Sequence, residues 1–231
     1  MRPVLLLIQG MLNDAGVWAD VLPLLPQHWE VRFAQIQTQD SIAAMARDAW
    51  AQLSDLSADT SVMVAGFSLG GYVAIEMLAN PQRTLSAAAL MSTSPLPETD
   101  EGRHVREKTM AAMQANFPKV VEGIVKFGCH EATEAVQERV RQMILAVGCE
   151  TGLRQTRAIM GRSDHRHALS RLTLPVALLC GEHDRVTPPA LTHELAQCLP
   201  HAQIHIVPGS GHMLPVQQAQ AVARVLSSLH P

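Results

Sequence analysis

The sequence predicts an α/β fold, with a mostly parallel central sheet of about six strands, helices on both faces and an inserted all-helical lid. Three observations predict it. Short apolar runs alternate with longer amphipathic runs over residues 1–97, the alternation stops over residues 98–170, and it returns over residues 171–231. Repeated strand–helix order favours right-handed parallel crossovers. Residues 1–97 and 171–231 are therefore expected to form one core, and residues 98–170, the helical segment, a cap over its carboxyl edge.

The first part of the core is expected to contain four strands and three helices. The strands are short runs of apolar, often β-branched residues, and they cover 4–8, 29–36, 62–67 and 87–92. The helices have apolar residues at helical spacing, and they cover 14–25, 41–56 and 70–78. Asn13 or Asp14 is the candidate N-cap of the first helix, which Pro26 closes, and Asp40 or Ser41 is the candidate N-cap of the second.

The helical segment shows no strand pattern. Helical patterns cover about 99–115, 117–127, 132–147 and 150–161, with breaks near Pro118, Gly128 and Gly148. Strand–helix order then resumes, with strands at 175–181 and 203–207 and helices at 189–199 and 216–229. The last two strands therefore complete the sheet after the insertion.

Composition excludes several classes of partner. The 231 residues carry a net charge of only −3, which gives no electrostatic reason to expect a nucleic acid or an anionic membrane. No apolar run approaches the ~18 residues of a membrane span. The apolar run at 4–8 is too short for a signal peptide and precedes no cleavage site, so a buried strand explains it better.

The cysteines and histidines predict no cofactor. Cys129, Cys149, Cys180 and Cys198 have no CxxC spacing, and a reduced, cytoplasmic protein is the simpler expectation, with disulfides left open. The 11 histidines include no pair spaced i, i+4 with a third ligand. We therefore expect neither a metal nor another cofactor.

The most informative motif is Gly-x-Ser-x-Gly at residues 66–70. It lies between a predicted strand and a predicted helix, which is the arrangement of a nucleophile elbow. In such a turn the serine hydroxyl projects out of the fold, and Gly66 and Gly70 leave room for the sharp change of direction. The first amides of the helix point to where negative charge develops during acyl transfer. Ser68 is therefore predicted to be a nucleophile, against the alternative of an ordinary glycine-rich turn.

Two residues after later strands are the candidate partners of Ser68. A serine hydroxyl needs a base to take its proton, and the base needs an acid to orient it. His212 follows the predicted sixth strand in a glycine-containing loop, and Asp184 follows the fifth. Glu98 and Asp100, after the fourth strand, are competing acids. The order Ser, Asp, His is the one expected for a nucleophile elbow, so Asp184 is the predicted acid.

An acyl-transfer site also needs two fixed hydrogen-bond donors for the carbonyl oxygen. The backbone amide of Leu69, directly after the candidate nucleophile, is one predicted donor. The backbone amide of Met11, in the turn after the first strand, is the other. Together these two amides would form the oxyanion hole.

These motifs resemble the α/β-hydrolase superfamily over nearly the whole chain. The matching segments are the first strand with the Gln9-Gly10 turn, the elbow at 66–71, the acid loop at 181–188 and the histidine loop at 209–212. The resemblance implies that Ser68, Asp184 and His212 form the triad, with Met11 and Leu69 as oxyanion donors.

The helical segment resembles the lid of the esterase, thioesterase, enol-lactonase and C–C-hydrolase branch of this superfamily. The sequence departs from the family pattern at Gln9, where many members carry histidine before the glycine. The first strand of this sequence corresponds to the strand that the family counts as its third, so the resemblance implies a sheet of about six strands, without the two edge strands that usually come before it.

The predicted activity is that of a serine hydrolase acting on a carboxylic ester, thioester or lactone of a small to medium acyl substrate through an acyl-enzyme intermediate. A serine at the elbow argues against dehalogenase or epoxide hydrolase chemistry, which needs a carboxylate there. The alternatives are a C–C bond hydrolase, an acyltransferase with the same triad, and a non-catalytic ligand-binding protein on the same fold. A small-molecule acyl substrate is the predicted partner, and no oligomeric state is predicted.

The candidate substrate-binding residues are apolar or positively charged side chains of the helical segment and the histidine loop. They are Met110, Met113, Phe117, Phe127, Met143, Arg154, Arg157, Met160 and Met213. The methionines and phenylalanines would provide a flexible apolar surface for the acyl group, and the two arginines could meet an anionic tail. In the alternative, the apolar residues pack inside the helical segment and the arginines face solvent.

Overall fold

The central sheet has six strands, and every neighbouring pair is parallel. The computed structural model describes residues 2–229, so the predicted outer boundaries at residues 1 and 231 lie outside it. The strands are β1 (Val4–Ile8), β2 (Glu30–Phe33), β3 (Val62–Phe67), β4 (Ala87–Met91), β5 (Val176–Gly181) and β6 (Gln203–Val207), in the order β2-β1-β3-β4-β5-β6. The predicted α/β fold with a parallel sheet is confirmed.

Helices cover both faces of this sheet. They are α1 (Ile42–Ala51), α2 (Leu69–Ala79), α3 (Asp100–Gly128), α4 (Glu134–Val147), α5 (Cys149–Met160), α6 (Arg166–Leu169), α7 (Pro189–Cys198), α8 (Leu214–Gln217) and α9 (Ala219–Ser228). Alternate strand residues enter two separate apolar cores: Leu5 and Leu7 pack with Trp18, whereas Leu6 and Ile8 pack with Met45. Burial on both faces explains why the strands are continuously apolar rather than alternating.

Two predicted helices are broken in the structure. The run at 14–25 forms two short 3-10 helices, Ala15–Trp18 and Leu22–Leu24, so the prediction of one helix there is wrong. Pro23 has no N–H to donate to the hydrogen bonds of an α-helix, and its ring clashes with the carbonyl of the preceding helical turn. The closing helix is divided into α8 and α9 at Gln218, whose φ of −137° and ψ of 49° are not helical.

The helical segment contains four helices, α3 to α6, and no strand in its described residues. The two patterns predicted at 99–115 and 117–127 form the two arms of α3, which is kinked at Asn116. The Asn116 side chain accepts the Lys119 amide at 3.1 Å and so caps the second arm, in which Pro118 occupies the first turn. The short helix α6 was not predicted.

The helical segment packs against loops that follow the carboxyl ends of the strands. Arg162 Nε donates to the Leu96 carbonyl at 2.8 Å after β4, and Arg185 after β5 donates to the Lys126 carbonyl at 2.8 Å. The amide of Met213, after β6, donates to the Gly128 carbonyl at 3.1 Å. The segment therefore lies at the edge where parallel α/β sheets bind their ligands.

A buried ion-pair cluster holds the start of this segment. Glu98 lies between Arg106 and Arg162, and the Arg162–Glu98 distance is 2.8 Å with both side chains less than a tenth exposed. Burial alone would raise the pKa of Glu98, but hydrogen bonds from the two guanidinium groups outweigh it, so this pKa lies below its usual value. Glu98 is therefore engaged in structure and not directed at His212.

No helix within residues 2–229 is both long enough and apolar enough to cross a membrane.

Candidate active site

Ser68 stands at the sharp turn between β3 and α2. Its φ of 53° and ψ of −114° are uncommon for a residue with a side chain, and its amide donates to the Met91 carbonyl at 2.8 Å. The flanking glycines are required by close contacts: a Cβ on Gly66 would lie 2.2 Å from the Gly70 carbonyl oxygen, and one on Gly70 would lie 2.2 Å from the Ile8 carbonyl oxygen. The strained turn therefore exists because both glycines lack a side chain.

His212 is brought to Ser68 by the loop after β6. Its Nε2 lies 2.9 Å from Ser68 Oγ, at hydrogen-bond distance for a proton transfer. The imidazole is 7% exposed, and its centroid is 5.3 Å from that of the Phe67 ring. The next residue, Met213, is bonded through its amide to the end of α3. A base is thus held in direct contact with the candidate nucleophile.

Asp184 receives the other side of the imidazole. His212 Nδ1 lies 2.9 Å from Oδ2 and 3.1 Å from Oδ1 of this carboxylate, which is 3% exposed. The amides of Val186 and Thr187 donate to Oδ1 at 2.9 and 2.8 Å, and the Thr187 hydroxyl donates to Oδ2 at 2.9 Å. Burial alone would raise the pKa of Asp184, but these hydrogen bonds and the contact with His212 lower it below its usual value. The carboxylate therefore stays charged and orients the ring.

The competing acids lie elsewhere. Glu98 is paired with arginines, and Asp100 is the exposed first residue of α3. Of the three candidate acids, the structure places Asp184 against His212.

The two predicted oxyanion donors are the backbone amide of Leu69, next in sequence to the candidate nucleophile, and that of Met11, in the turn after β1. Leu69 is the first residue of α2, where helix geometry provides no carbonyl partner for an amide. In the turn after β1, the Leu12 amide donates to Gln155 Oε1 at 2.8 Å and the Asn13 amide to the Gly10 carbonyl at 3.2 Å. Neither of these two bonds uses the Met11 amide, which lies between Gly10 and Leu12 in the same turn. Gln9, which replaces the family histidine, is 4% exposed, and its Oε1 accepts no hydrogen bond within residues 2–229.

The candidate substrate-binding residues fall into three groups. Met113 and Met213 are buried in the large apolar core that also contains Leu12 and Phe67. Met110, Phe117 and Met143 are partly buried against the same core, and Met160 is partly buried at the end of α5.

Two of the remaining three residues, Phe127 and Arg157, are exposed. Phe127 is 48% exposed, and the guanidinium of Arg185 lies 4.6 Å from its ring centroid. Arg157 faces solvent, whereas Arg154 is half-buried and its Nε has no hydrogen-bond partner within residues 2–229. Contact with a substrate stays a prediction for all nine residues.

Sequence reasoning missed two polar residues at the site. Thr187 bonds the carboxylate of Asp184, and Gln155 reaches the oxyanion turn from α5. One signal in the sequence could have found Gln155. It shares a helix face with Gly152, Thr156 and Ile159 by its spacing, and all four residues are buried in the structure. Within residues 2–229, no group of three or more histidine, cysteine or acidic side chains is arranged to hold a metal ion.

A family model described as serine aminopeptidase, S33, matches residues 32–218, well over half of the chain. Among curated proteins, a pimeloyl-[acyl-carrier protein] methyl ester esterase of Neisseria meningitidis is 25% identical over 229 residues, which cover 94% of this chain and 73% of that protein.

Solved structures give the same fold. A thermophilic esterase from Thermogutta terrifontis matches with a TM-score of 0.87 and 24% identity, covering 99% of this chain and 91% of that one. The enol-lactonase from Burkholderia xenovorans LB400 matches with a TM-score of 0.85 and 18% identity, covering 99% and 91%. At these identities the likeness shows the α/β-hydrolase fold.

Proposed function

Because the chain belongs to the serine aminopeptidase S33 family of hydrolases, we propose that it hydrolyses carboxylic esters or lactones of small to medium acyl groups through an acyl-enzyme on Ser68. The observation that carries the proposal is the continuous series of contacts from Ser68 Oγ through His212 to Asp184, with distances of 2.9 Å at both junctions. Three turns after three parallel strands supply these groups, and a serine bonded to a histidine that is bonded to a carboxylate is an arrangement that catalyses acyl transfer.

The proposed reaction has two steps. His212 takes the proton of Ser68, whose oxygen attacks the substrate carbonyl, and the Met11 and Leu69 amides bind the resulting oxyanion. His212 then gives its proton to the alkoxide as the C–O bond breaks; an ester releases an alcohol, and a lactone keeps the new hydroxyl on its acyl chain. In the second step His212 activates water, which releases the acid from Ser68. Asp184 stays ionised throughout and stabilises the imidazolium.

We further propose that residues 98–170 act as a cap on a core formed by residues 1–97 and 171–231. The contacts of Arg162, Gly128 and Gln155 with loops at the carboxyl edge support this division. We also propose that Met113 and Met213 contribute apolar surface to the acyl pocket, because Met213 directly follows His212 and Met113 is buried in the same apolar core as Phe67.

Methyl esters of medium-length acyl chains are the first substrates to test. The relative from Neisseria meningitidis is named for a methyl ester of an acyl group on a carrier protein, and the Thermogutta terrifontis and Burkholderia xenovorans proteins are named an esterase and an enol-lactonase. Thioester cleavage, C–C hydrolysis, acyl transfer and ligand binding without turnover are not favoured by these relatives. The assay tests each of these alternatives beside the esters. It also includes an aminoacyl p-nitroanilide, which reports the peptidase activity that the family description names.

Replacing Ser68 with alanine is expected to lower kcat on p-nitrophenyl and methyl esters by about 10⁴-fold or more, since it removes the oxygen that forms the acyl-enzyme. A fluorophosphonate should label the wild-type protein on the peptide containing Ser68. The matched control is Ser86→Ala, which removes a hydroxyl bonded to the Val62 carbonyl at the opposite edge of the sheet and should keep full activity. Near-normal turnover by the Ser68 variant would reject the proposal.

We place this reaction in the cytoplasm. All four cysteine thiols are unpaired, as expected in a reducing compartment. Immunoblotting of fractions from the native host should find the protein with cytosolic markers, and recovery in a periplasmic or secreted fraction would contradict this placement.

A further inference from the structure

We propose that Gln155, on α5 of the helical segment, holds the oxyanion turn in its active shape and is a positioning residue for hydrolysis. The inference rests on the proposed function, because it concerns the same site. It assigns a role in the reaction to a residue that lies 143 positions from the turn it contacts.

The Gln155 side chain is fully buried and uses both ends of its amide. Oε1 accepts the Leu12 amide at 2.8 Å, and Nε2 donates to the Ile36 carbonyl at 3.3 Å. Leu12 follows β1 and Ile36 follows β2, so one side chain joins two loops at the carboxyl edge of the sheet. A buried amide with both ends paired has a defined position, and its loss leaves two buried backbone groups without partners.

The turn needs such support because its backbone is strained. Leu12 has a φ of 58°, in the left-handed region that residues with a Cβ rarely adopt. Such a conformation persists only where the surroundings fix it. Here α5 packs closely against the turn. A Cβ on Gly152 would lie 2.9 Å from Leu12 Cδ2, and Thr156 Oγ1 lies 3.9 Å from Met11 Sδ.

The hydrogen bonds of the turn determine where the Met11 amide points. The Gly10 carbonyl, which shares a planar peptide with the Met11 N–H, accepts the Asn13 amide at 3.2 Å. The Leu12 N–H, in the next peptide plane, is held by Gln155. Both peptide planes that flank Met11 are therefore fixed. The Met11 N–H has its direction before the reaction begins and does not have to reorient, as an oxyanion donor requires.

One consequence is that α5 belongs to the catalytic apparatus. Any movement of this helix away from the core breaks the bond to Leu12 and releases the turn. The oxyanion hole is complete only while α5 is seated against the turn.

The test compares Gln155→Met with Gln142→Met, a matched control on α4 whose glutamine is exposed and bonds only the Glu138 side chain. Loss of a whole oxyanion donor lowers kcat by roughly 10²- to 10³-fold, and a misplaced donor should lower it less. We expect Gln155→Met to reduce kcat by about 10- to 100-fold with KM within about twofold. A boronic acid that forms a tetrahedral adduct on serine should bind more weakly by a similar factor.

If Gln155 had a purely structural role, kcat and the affinity for the boronic acid would not fall together. Unchanged kcat, or reduced kcat with unchanged boronate affinity, would overturn the inference. If Gln155→Met does not fold, Gln155→Glu decides: its protonated carboxyl can accept from Leu12 and donate to Ile36, so its kcat relative to wild type should rise between pH 8 and pH 6. A flat ratio would count against Gln155. Absent wild-type turnover would instead reject the proposed function.

Discussion

Asp184→Asn is expected to lower kcat by about 10³- to 10⁴-fold at pH 7 while the protein stays folded. An asparagine amide turned toward Nδ1 stabilises the wrong imidazole tautomer and cannot stabilise the imidazolium that forms during attack. The contacts make this effect large: His212 Nδ1 lies within 3.1 Å of both carboxylate oxygens, and no competing acid of the described chain replaces them there. Steady-state kinetics on a p-nitrophenyl ester measures the loss.

The same substitution should change the dependence of stability on pH. The pKa of Asp184 in the fold is below its usual value, so the ionised carboxylate stabilises the fold above about pH 4, its unfolded pKa. That contribution is lost as the pH falls through the lowered folded-state pKa. Asp184→Asn should therefore reduce the free energy of unfolding by about 1–3 kcal/mol at pH 7, and the difference from wild type should shrink toward pH 3.

Asp164→Asn is the control. Asp164 lies exposed in the loop before α6, and its side chain bonds only Arg166. Its kcat should equal that of wild type. Activity of Asp184→Asn within tenfold of wild type would mean that another group orients His212, and Asp184 would then be a turn residue.

The fold and the proximity of the three candidate triad residues were predictable because each depends on short-range patterns. Apolar runs marked the strands, and in a parallel sheet their carboxyl ends meet at one edge, so Ser68, Asp184 and His212 had to lie near one another. The elbow glycines were readable for the same reason. A Cβ on Gly66 would meet the backbone of the helix that directly follows, at Gly70 and Gly71, and a Cβ on Gly70 would meet the end of the neighbouring strand β1 at Ile8.

Other features were not predictable because they depend on contacts far apart in the chain. Gln155 reads as one polar residue on an amphipathic helix until α5 is placed against the turn at Leu12. The prediction of one helix at 14–25 failed for a local reason. It gave the spacing of the apolar residues more weight than the interruption at Pro23. The pocket residues share this limit, since helical spacing identifies a buried face but not what that face contacts.

Gly70→Ala is expected to destabilise the fold more than other single-methyl additions to a helix. The new Cβ would lie 2.2 Å from the Ile8 carbonyl oxygen and 2.7 Å from that of Gln9, and these backbone atoms belong to the strand and turn that precede the oxyanion hole. Relief requires α2 and β1 to separate, and we expect a loss of about 3 kcal/mol or more in the free energy of unfolding.

Gly123→Ala in α3 is the matched control, because a Cβ there meets nothing within 4 Å. It should leave activity unchanged and stabilise the fold by about 0.5–1 kcal/mol, as alanine does for glycine inside a helix. Thermal and urea unfolding of both variants give the comparison. Because Ile8 leads directly into the turn with Met11, any folded Gly70→Ala protein should also lose kcat. A stable, fully active Gly70→Ala protein would show that α2 and β1 do not need this close approach, and that the second glycine of the elbow is not required for the geometry of the site.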